Sequence, residues 1–147
     1  MIYKIAIIGC GVIAGSRKSV YSFSHMDYFS KSKNFKVIAC VDQNKKRLNG
    51  FKKKWKIKYS FNSIRELNNS DLKIDIVDVC VDISNQNLII PDLINLNCFY
   101  FLFEKPFTKS FKEASKAFKI FEKNNKKLLI NYPRIFYNYF IFHKIIS

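Results

Sequence analysis

Hydrophobic and polar positions change along the chain in blocks that predict strands and helices in alternation. Runs of β-branched and aromatic residues without helical periodicity predict buried parallel strands. The amphipathic stretches between them, with apolar residues three or four positions apart, predict helices. The predicted strands are residues 3–8, 35–42, 58–61, 75–81, 99–103 and 127–131, and the predicted helices are residues 14–28, 43–58, 64–67, 84–96 and 111–121.

A glycine-rich turn follows the first predicted strand, in the pattern GxGxxA. Gly9 suits a tight turn, Gly11 has no side chain to keep a pyrophosphate from the main chain, and Ala14 lets the next element pack closely. The backbone N–H groups of this turn, including those of Val12 and Ile13, would face the phosphates, and a helix dipole would favour their charge. The turn therefore predicts a dinucleotide-binding loop. Since the pattern is common by chance, its meaning depends on the neighbouring elements.

The second predicted strand ends in an acid, Asp42. A carboxylate at this point can accept hydrogen bonds from the ribose hydroxyls of adenosine, and it repels a 2′-phosphate. Asp42 therefore favours NAD as the cofactor. Lys45, Lys46 and Arg47 follow closely, so NADP stays open as an alternative. The competing interpretation of Asp42 is a solvated loop residue.

The alternation of strands and helices predicts a parallel sheet with helices on both faces. The expected fold class is α/β, a doubly wound Rossmann-type sheet in a single domain. We expect the NAD(P)-binding domain to comprise residues 1–131 and residues 132–147 to form a short tail. A chain of 147 residues with 48% hydrophobic positions is large enough to bury such a core.

For isolated polar residues elsewhere, the sequence favours structural or solvent-exposed roles over functional ones. Arg17 and Lys18 are candidates to contact a cofactor, although solvent exposure is favoured. His25 has no partner that the sequence identifies, which favours a surface or packing role. Asp78 lies inside a predicted strand, so it must be at a sheet edge or find a hydrogen bond.

The net charge of +15 at pH 7 has two explanations. One is codon bias in a genome rich in A and T, because Lys, Asn, Ile, Phe and Tyr are all abundant. The other is a nucleic acid or an anionic membrane as partner. Between residues 43 and 58, eight basic residues surround Leu48, Phe51 and Trp55. The spacing of these three apolar residues predicts a buried helix face, so a nucleic-acid interface is not favoured.

Several classes of protein do not fit the sequence. No stretch approaches the roughly 20 apolar residues of a membrane-spanning helix. The N-terminus does not have the pattern of a secretory signal, so the cytoplasm is the expected location. The four cysteines are far apart, without a CxxC pair or a neighbouring histidine cluster, so we predict neither a disulfide framework nor a metal site.

Four segments resemble the N-terminal domain of the glucose–fructose oxidoreductase and inositol dehydrogenase family, Gfo/Idh/MocA. These segments are residues 4–15, the strand end Val41-Asp42, residues 75–81 and Glu104-Lys105-Pro106. The resemblance continues in register from about residue 2 to about residue 135. The Glu-Lys-Pro segment is more specific than the glycine loop. Asn131 and Arg134 fall where the family has a polar, arginine-containing segment.

Members of this family are NAD(P)-dependent oxidoreductases that act mostly on sugars, polyols and their derivatives. The resemblance implies that Lys105 is catalytic and lies beside the nicotinamide and the reacting hydroxyl. There its ammonium would polarise a carbonyl or stabilise a developing alkoxide during hydride transfer. The resemblance also implies that Glu104 positions Lys105 at the cofactor and that Pro106 fixes the turn.

The chain departs from the family pattern in three places. The segment at residues 82–87 replaces a Thr-Pro-Asn-like segment and a histidine, with Asn87 or a neighbour at the histidine position. Cys98 stands where the family usually has glycine. Family enzymes also continue into a second α/β domain, which supplies most of the substrate pocket, a second catalytic group and the oligomer interface. His143, in the predicted tail, is not placed near Lys105 by any sequence signal.

Three functions therefore stay open. The first is the dinucleotide-binding half of a truncated or split oxidoreductase, inactive or weakly active alone. The second is a non-catalytic nucleotide-binding or regulatory module that pairs with another chain carrying the missing domain. The third, ranked lowest, is a basic nucleic-acid-binding protein built around residues 45–58.

Overall fold

The computed structural model describes residues 1–16 and 24–132 of the chain. The strands are β1 (Tyr3–Ile8), β2 (Phe35–Val41), β3 (Tyr59–Phe61), β4 (Ile76–Val79), β5 (Tyr100–Glu104) and β6 (Lys127–Asn131). The helices are α1 (His25–Phe29), α2 (Lys45–Trp55), α3 (Ile64–Asn68), α4 (Ile83–Ile94) and α5 (Phe111–Lys123). The strands are all parallel and lie in the order β3-β2-β1-β4-β5-β6. The predicted α/β, Rossmann-type sheet is confirmed.

The chain reverses its path across the sheet between β1 and β4. From β1 it proceeds to β2 and β3 on one side, and then returns to β4, β5 and β6 on the other. The register places Ile7 of β1 between Cys40 of β2 and Asp78 of β4. The carboxyl ends of β1 and β4 therefore flank the point where the strand order reverses, which is the usual ligand position in open parallel sheets.

Apolar side chains cover both faces of the sheet, because successive residues of a strand point to opposite sides. On one face, Ile5 and Ile7 of β1 are buried with residues of α1 and α2. On the other face, Ala6 and Ile8 are buried with residues of α3, α4 and α5. Helices on both faces hold the central strands rigidly and fix the loops that leave their carboxyl ends.

Helix α1 and the turns before it differ from the helix predicted over residues 14–28. Residues 11–16 form turns and bends. Gly15 has a φ of 127°, a conformation that L side chains rarely adopt and that interrupts a helix. Helix α1 begins only after Ser24, whose side chain accepts a hydrogen bond from the backbone N–H of Asp27. The prediction was therefore wrong about where this helix begins.

The lysine-rich helix α2 has the buried face that its apolar spacing predicts. Leu48 and Phe51 are buried, and the indole N–H of Trp55 donates to the carbonyl oxygen of Gly15 at 2.9 Å. The core therefore uses the apolar residues that lie among the lysines. Neither α2 nor any other helix in the described ranges has the length and apolar composition needed to cross a membrane.

Residues 17–23 and 133–147 lie outside the described part of the chain. The candidate residues that fall there are Arg17, Lys18, Arg134 and His143. The last strand, β6, ends where the predicted domain of residues 1–131 ends, and the tail of residues 132–147 stays a prediction.

Candidate functional site

The loop after β1 uses its two glycines for different reasons. Gly9 has a φ of 93°, and a Cβ there would lie 2.8 Å from the carbonyl oxygen of Cys80, which follows β4. A Cβ at Gly11 would meet no heavy atom of the described residues within 4 Å. Gly9 is therefore required by the close approach of β1 and β4, whereas Gly11 borders open space. Ala14 is fully buried, as its predicted packing role requires.

The same loop presents backbone N–H groups that have no hydrogen-bond partner among the described residues. Within the described ranges, no hydrogen bond uses the backbone N–H of residues 11–14. The next two N–H groups, those of Gly15 and Ser16, donate to the carbonyl oxygen of Gly11 and close the turn. Val12 and Ile13 are exposed. A run of unused N–H groups on an open turn is suited to binding phosphate.

Asp42, directly after β2, is buried, and both of its carboxylate oxygens accept hydrogen bonds from the protein. Its carboxylate accepts hydrogen bonds from the backbone N–H of Cys10 at 2.9 Å and that of Asn44 at 2.8 Å. Arg47 adds two more, from Nε at 2.7 Å and Nη2 at 3.0 Å. The alternative of a solvated loop residue was therefore wrong. Asp42 joins the glycine loop to the end of β2 and places a paired carboxylate beside that loop.

The Glu-Lys-Pro segment forms the turn after β5. Lys105 is exposed and precedes Pro106 through a cis peptide bond. Gln86 of α4, which is buried, donates from Nε2 toward the carbonyl oxygens of Val81, Glu104 and Pro106 at 3.2, 3.3 and 3.3 Å. Gln86 lies in the segment that departs from the family pattern, and it braces the turn that presents Lys105.

A cluster of buried polar side chains lies beneath this turn, with His25 at its centre. Nδ1 of His25 lies 2.8 Å from Oδ2 of Asp78, and Nε2 lies 2.8 Å from Oε1 of Glu104. Asn131 donates from its side-chain amide to the same oxygen of Glu104. The prediction of a bland surface or packing role for His25 was wrong. For Asp78, the second of the two alternatives holds, since it lies inside the sheet and finds a hydrogen bond.

The cluster holds a proton between one imidazole and two carboxylates. Both ring nitrogens of His25 face carboxylate oxygens, so both must donate if both acids are ionised. Burial acts to lower the pKa of His25, but its hydrogen bonds with Asp78, Cys80 and Glu104 outweigh burial and raise that pKa to about 12. Burial acts to raise the pKa of Glu104, but hydrogen bonds from His25 and Asn131 outweigh it and lower that pKa. An imidazolium bridging two carboxylates accounts for these directions.

Burial raises the pKa of two further groups in this cluster, the Asp78 carboxyl and the Cys80 thiol. It raises the pKa of the Asp78 carboxyl, which is fully buried, against the opposing hydrogen bond from His25. It also raises the pKa of the Cys80 thiol to about 12. The ligand atoms of His25, Asp78 and Cys80 lie within 4.8 Å of one another, a spacing that a metal ion can accept. Because the thiol stays protonated and the imidazole is held by hydrogen bonds, we interpret the cluster as proton-bridged.

Two other departures from the family pattern have structural roles away from the glycine loop. The side-chain amide of Asn87 donates to Glu113 at 2.9 Å and so links α4 to α5. The thiol of Cys98 is buried and lies 3.3 Å from the carbonyl oxygen of Asp75. Neither side chain joins the cluster around His25.

The predicted site residues converge at one edge of the sheet. Asp42, Gly9 and Lys105 follow β2, β1 and β5, and the order of these strands with β4 puts their carboxyl ends side by side. Glu104 points inward to His25, and Lys105 lies exposed next to it in the chain. The arrangement offers an open glycine loop, a carboxylate beside it and an ammonium further along the same edge.

Comparison with solved structures gives enzymes of the same fold. An oxidoreductase from Agrobacterium radiobacter, solved with NAD+, L-tartaric acid and magnesium, has a TM-score of 0.76 and 21% identity, over 89% of this chain and 35% of its own. A 3-ketoreductase from Actinomadura kijaniata, solved with TDP-benzene and NADP, has a TM-score of 0.73 and 19% identity, over 89% and 37%. The apo scyllo-inositol dehydrogenase from Lactobacillus casei has a TM-score of 0.74 and 19% identity, over 92% and 38%. The chain thus spans little more than a third of these proteins.

A family model matches the chain, whereas curated sequences do not. Curated protein sequences give no significant match. The model of the oxidoreductase family with an NAD-binding Rossmann fold, Gfo/Idh/MocA, matches residues 3–132. That range contains the glycine loop, Asp42 and the turn at Lys105. The chain belongs to the Gfo/Idh/MocA oxidoreductase family, of which it carries the NAD-binding Rossmann domain.

Proposed function

We propose that the chain binds NAD at the carboxyl ends of β1 and β4, as the dinucleotide-binding part of an oxidoreductase. The observation that carries this proposal is the loop of residues 9–14. It combines open space at Gly11 with unused backbone N–H groups at residues 11–14. The phosphates would lie against the loop of Gly9, Gly11, Val12, Ile13 and Ala14. Residues 11–14 would supply the backbone N–H donors, whereas the N–H of Gly9 is bonded to the carbonyl oxygen of Val41.

The proposed cofactor is NAD, with NADP as the alternative. A carboxylate at Asp42 favours ribose hydroxyls and repels a 2′-phosphate, whereas the neighbouring Arg47, half-exposed, is the group that would accept that phosphate. Since Arg47 is already paired with Asp42, the balance of charge supports NAD.

The test of cofactor choice is calorimetric titration of the chain with NADH and NADPH. The wild-type chain should bind NADH about tenfold more tightly or better, since a hydrogen bond to a charged group contributes about 1.5–3 kcal/mol. Asp42→Asn, which keeps the size and removes the charge, should reduce this ratio. Asp71→Asn, at an exposed acid, is the matched control and should leave it unchanged. A wild-type preference for NADPH would establish the alternative.

Lys105 is the proposed catalytic residue, and Glu104 its positioning neighbour at the cofactor. The ammonium lies exposed at the end of β5, where it is free to meet a substrate oxygen. There it would stabilise negative charge on that oxygen while hydride moves to or from the nicotinamide. The substrate class would be a sugar, a polyol or a derivative, which the inositol dehydrogenases among the structural neighbours support at the level of the fold.

The chain alone should turn over such substrates weakly or not at all. The family resemblance assigns most of the substrate pocket and a second catalytic group to a further domain, and this chain spans 35–38% of its structural neighbours. The test is the production of NADH from NAD and myo-inositol by the purified 147-residue chain, with Lys105→Ala as the matched control. Turnover clearly above that of Lys105→Ala would overturn this expectation.

A second candidate is a nucleotide-binding module that pairs with a separate chain supplying a substrate domain of the kind that the family resemblance implies. The observation that favours it is an apolar cavity of about 1050 Å³ on the α1 side of β5 and β6. Tyr100 and Leu129, which line it, are 50% and 66% exposed. Apolar surface of this kind usually marks an interaction site.

Pairing predicts that this chain co-purifies with an α/β-domain protein encoded beside its own gene. Leu129→Lys should abolish the association, because it puts a charge in the apolar cavity. Leu88→Lys, at an exposed leucine of α4 on the opposite face of the sheet, is the matched control and should not. An association that survives Leu129→Lys would exclude this surface.

A further inference from the structure

We propose that His25 is a positioning residue that couples the nucleotide-binding loop to the turn carrying Lys105. The inference rests on the proposed function, and it adds a residue that contacts both parts of the site. Its backbone is bonded to the loop, and its side chain is bonded to Glu104, the residue directly before Lys105.

The backbone link lies at the start of α1. The N–H of His25 donates to the carbonyl oxygen of Ile13 at 3.1 Å, and the N–H of Met26 donates to that of Ala14 at 3.1 Å. These carbonyls belong to the residues whose N–H groups would bind the phosphates. The position of α1 is therefore fixed relative to the phosphate-binding loop.

The side-chain link runs through the rigid imidazole ring. One ring nitrogen lies 2.8 Å from Asp78 of β4 and the other 2.8 Å from Glu104 of β5. Asp78 holds the ring in orientation, and Asn131 of β6 holds the same Glu104 oxygen that the ring contacts. Gln86 fixes the backbone carbonyl of Glu104. These contacts together restrain the position of the Lys105 turn relative to the loop.

The contact needs an imidazole, because a shorter or single-ended side chain cannot replace it. Glutamine offers one amide nitrogen and cannot donate in opposite directions to Asp78 and Glu104. The side chain of Glu104 is nearly buried, so its carboxylate would lose its cationic partner without gaining full hydration. We therefore expect the Lys105 turn to shift when His25 is replaced, while the contacts of Asp42 with Cys10 and Asn44 stay intact.

The experiment compares NADH with ADP-ribose, which has the same adenosine and pyrophosphate but no nicotinamide. In calorimetric titrations of the full chain, NADH should bind more tightly than ADP-ribose. His25→Gln should reduce NADH affinity about tenfold, the effect of losing a charged hydrogen bond, and change ADP-ribose affinity less than about twofold. Glu104→Gln, which conserves volume, should give the same selective loss and serves if His25→Gln does not fold.

Two controls separate positioning from general loosening of α1. Ser24→Ala removes the cap of the same helix without touching the cluster, so it should not change the ratio of the two affinities. Lys105→Ala should lower NADH affinity as His25→Gln does, and the double variant should be no worse than either, because the two residues act through one contact. Additive losses would overturn the proposal.

The outcomes distinguish this inference from the proposed function. If the folded wild-type chain binds neither ligand, the proposed function fails and the inference fails with it. If the wild-type chain binds both ligands equally, or if His25→Gln weakens both equally, nucleotide binding stands and only the positioning role of His25 is overturned.

Discussion

At the scale of single residues, the glycine loop depends on two positions that have no Cβ atom. Gly9 is confined by the backbone of Cys80, whereas Gly11, three residues before the buried Ala14, meets no described residue within 4 Å of its Cβ position. The two glycines of one motif therefore serve the fold and the ligand separately. Variants at each should have different consequences.

Gly9→Ala should lower the free energy of unfolding by about 2 kcal/mol or more, since it adds a clash to an unfavourable positive φ. Gly11→Ala should change it by less than about 0.5 kcal/mol, because a methyl group there meets no neighbour. Urea denaturation of both variants measures the difference. Equal destabilisation would contradict the separation of roles.

The bridged cluster predicts a pH dependence of stability. An unfolded histidine loses its proton near pH 6.5, whereas folded His25 keeps it to about pH 12. Between these values the folded chain binds more protons than the unfolded chain. The contribution is therefore fully present below pH 6.5 and is lost as pH rises, by up to about 1.4 kcal/mol per pH unit.

His25→Gln, which has no such proton, provides the reference for this prediction. Urea denaturation of wild type and variant between about pH 7 and about pH 9 should show the stability advantage of the wild type shrinking as pH rises. If the stability advantage of the wild type stays constant or grows with pH, folding does not raise the proton affinity of the cluster formed by His25, Asp78 and Glu104.

Local sequence could predict where the glycines and Asp42 lie, because their positions depend on the strand ends beside them. It could not predict the role of His25, whose partners Asp78 and Glu104 lie 53 and 79 positions away. Only the order of β1, β4 and β5 brings them together. The one available signal was Asp78 itself, an acid inside a strand that required a buried partner.

At the scale of elements, hydrophobic period and capping residues determined the helices well, with one exception. Helix α5 begins at Phe111 after the cap Ser110, and α3 begins at Ile64 after the cap Ser63. The exception is α1, because apolar positions near Ala14 continue a helical period that the positive φ of Gly15 interrupts. A backbone angle of this kind leaves no mark in the hydrophobic pattern.

The cap of α5 offers a direct test at this scale. The Ser110 hydroxyl accepts a hydrogen bond from the N–H of Glu113 at 3.3 Å. Ser110→Ala should therefore lower the free energy of unfolding by about 1 kcal/mol. Ser115→Ala, inside the same helix, should leave stability unchanged or raise it slightly, because alanine has the higher helix propensity. A thermal or urea transition that ranks the two variants oppositely would contradict the assigned cap.

At the scale of the whole molecule, the described residues combine a buried core with an apolar cavity beside β5 and β6, and the chain is strongly basic. Helix α2 buries Leu48 and Phe51 in the core, and its lysines lie around this buried face. Phe51 is therefore not available to stack on nucleic-acid bases. We therefore do not expect the net charge of +15 to reflect a nucleic-acid-binding groove. It would still raise the local concentration of an anionic cofactor.

Filter-binding with single- and double-stranded DNA tests the basic surface. We expect only weak association that disappears at about 150 mM salt, since it would depend on phosphate contacts alone. Lys53→Ala, on the exposed side of α2, should not change it measurably. Tight binding that persists at that salt concentration would revive the nucleic-acid alternative.

Binding of NADH by the glycine loop can be measured by calorimetric titration of the purified chain, alongside Gly11→Val and Gly50→Val. Both variants add the same side chain at a glycine whose Cβ position meets nothing within 4 Å, but only Gly11 belongs to the proposed phosphate loop. We predict saturable binding by the wild type and Gly50→Val, and none by Gly11→Val. A folded wild-type chain that does not bind NADH, or a Gly11→Val variant that binds it equally well, would contradict the account.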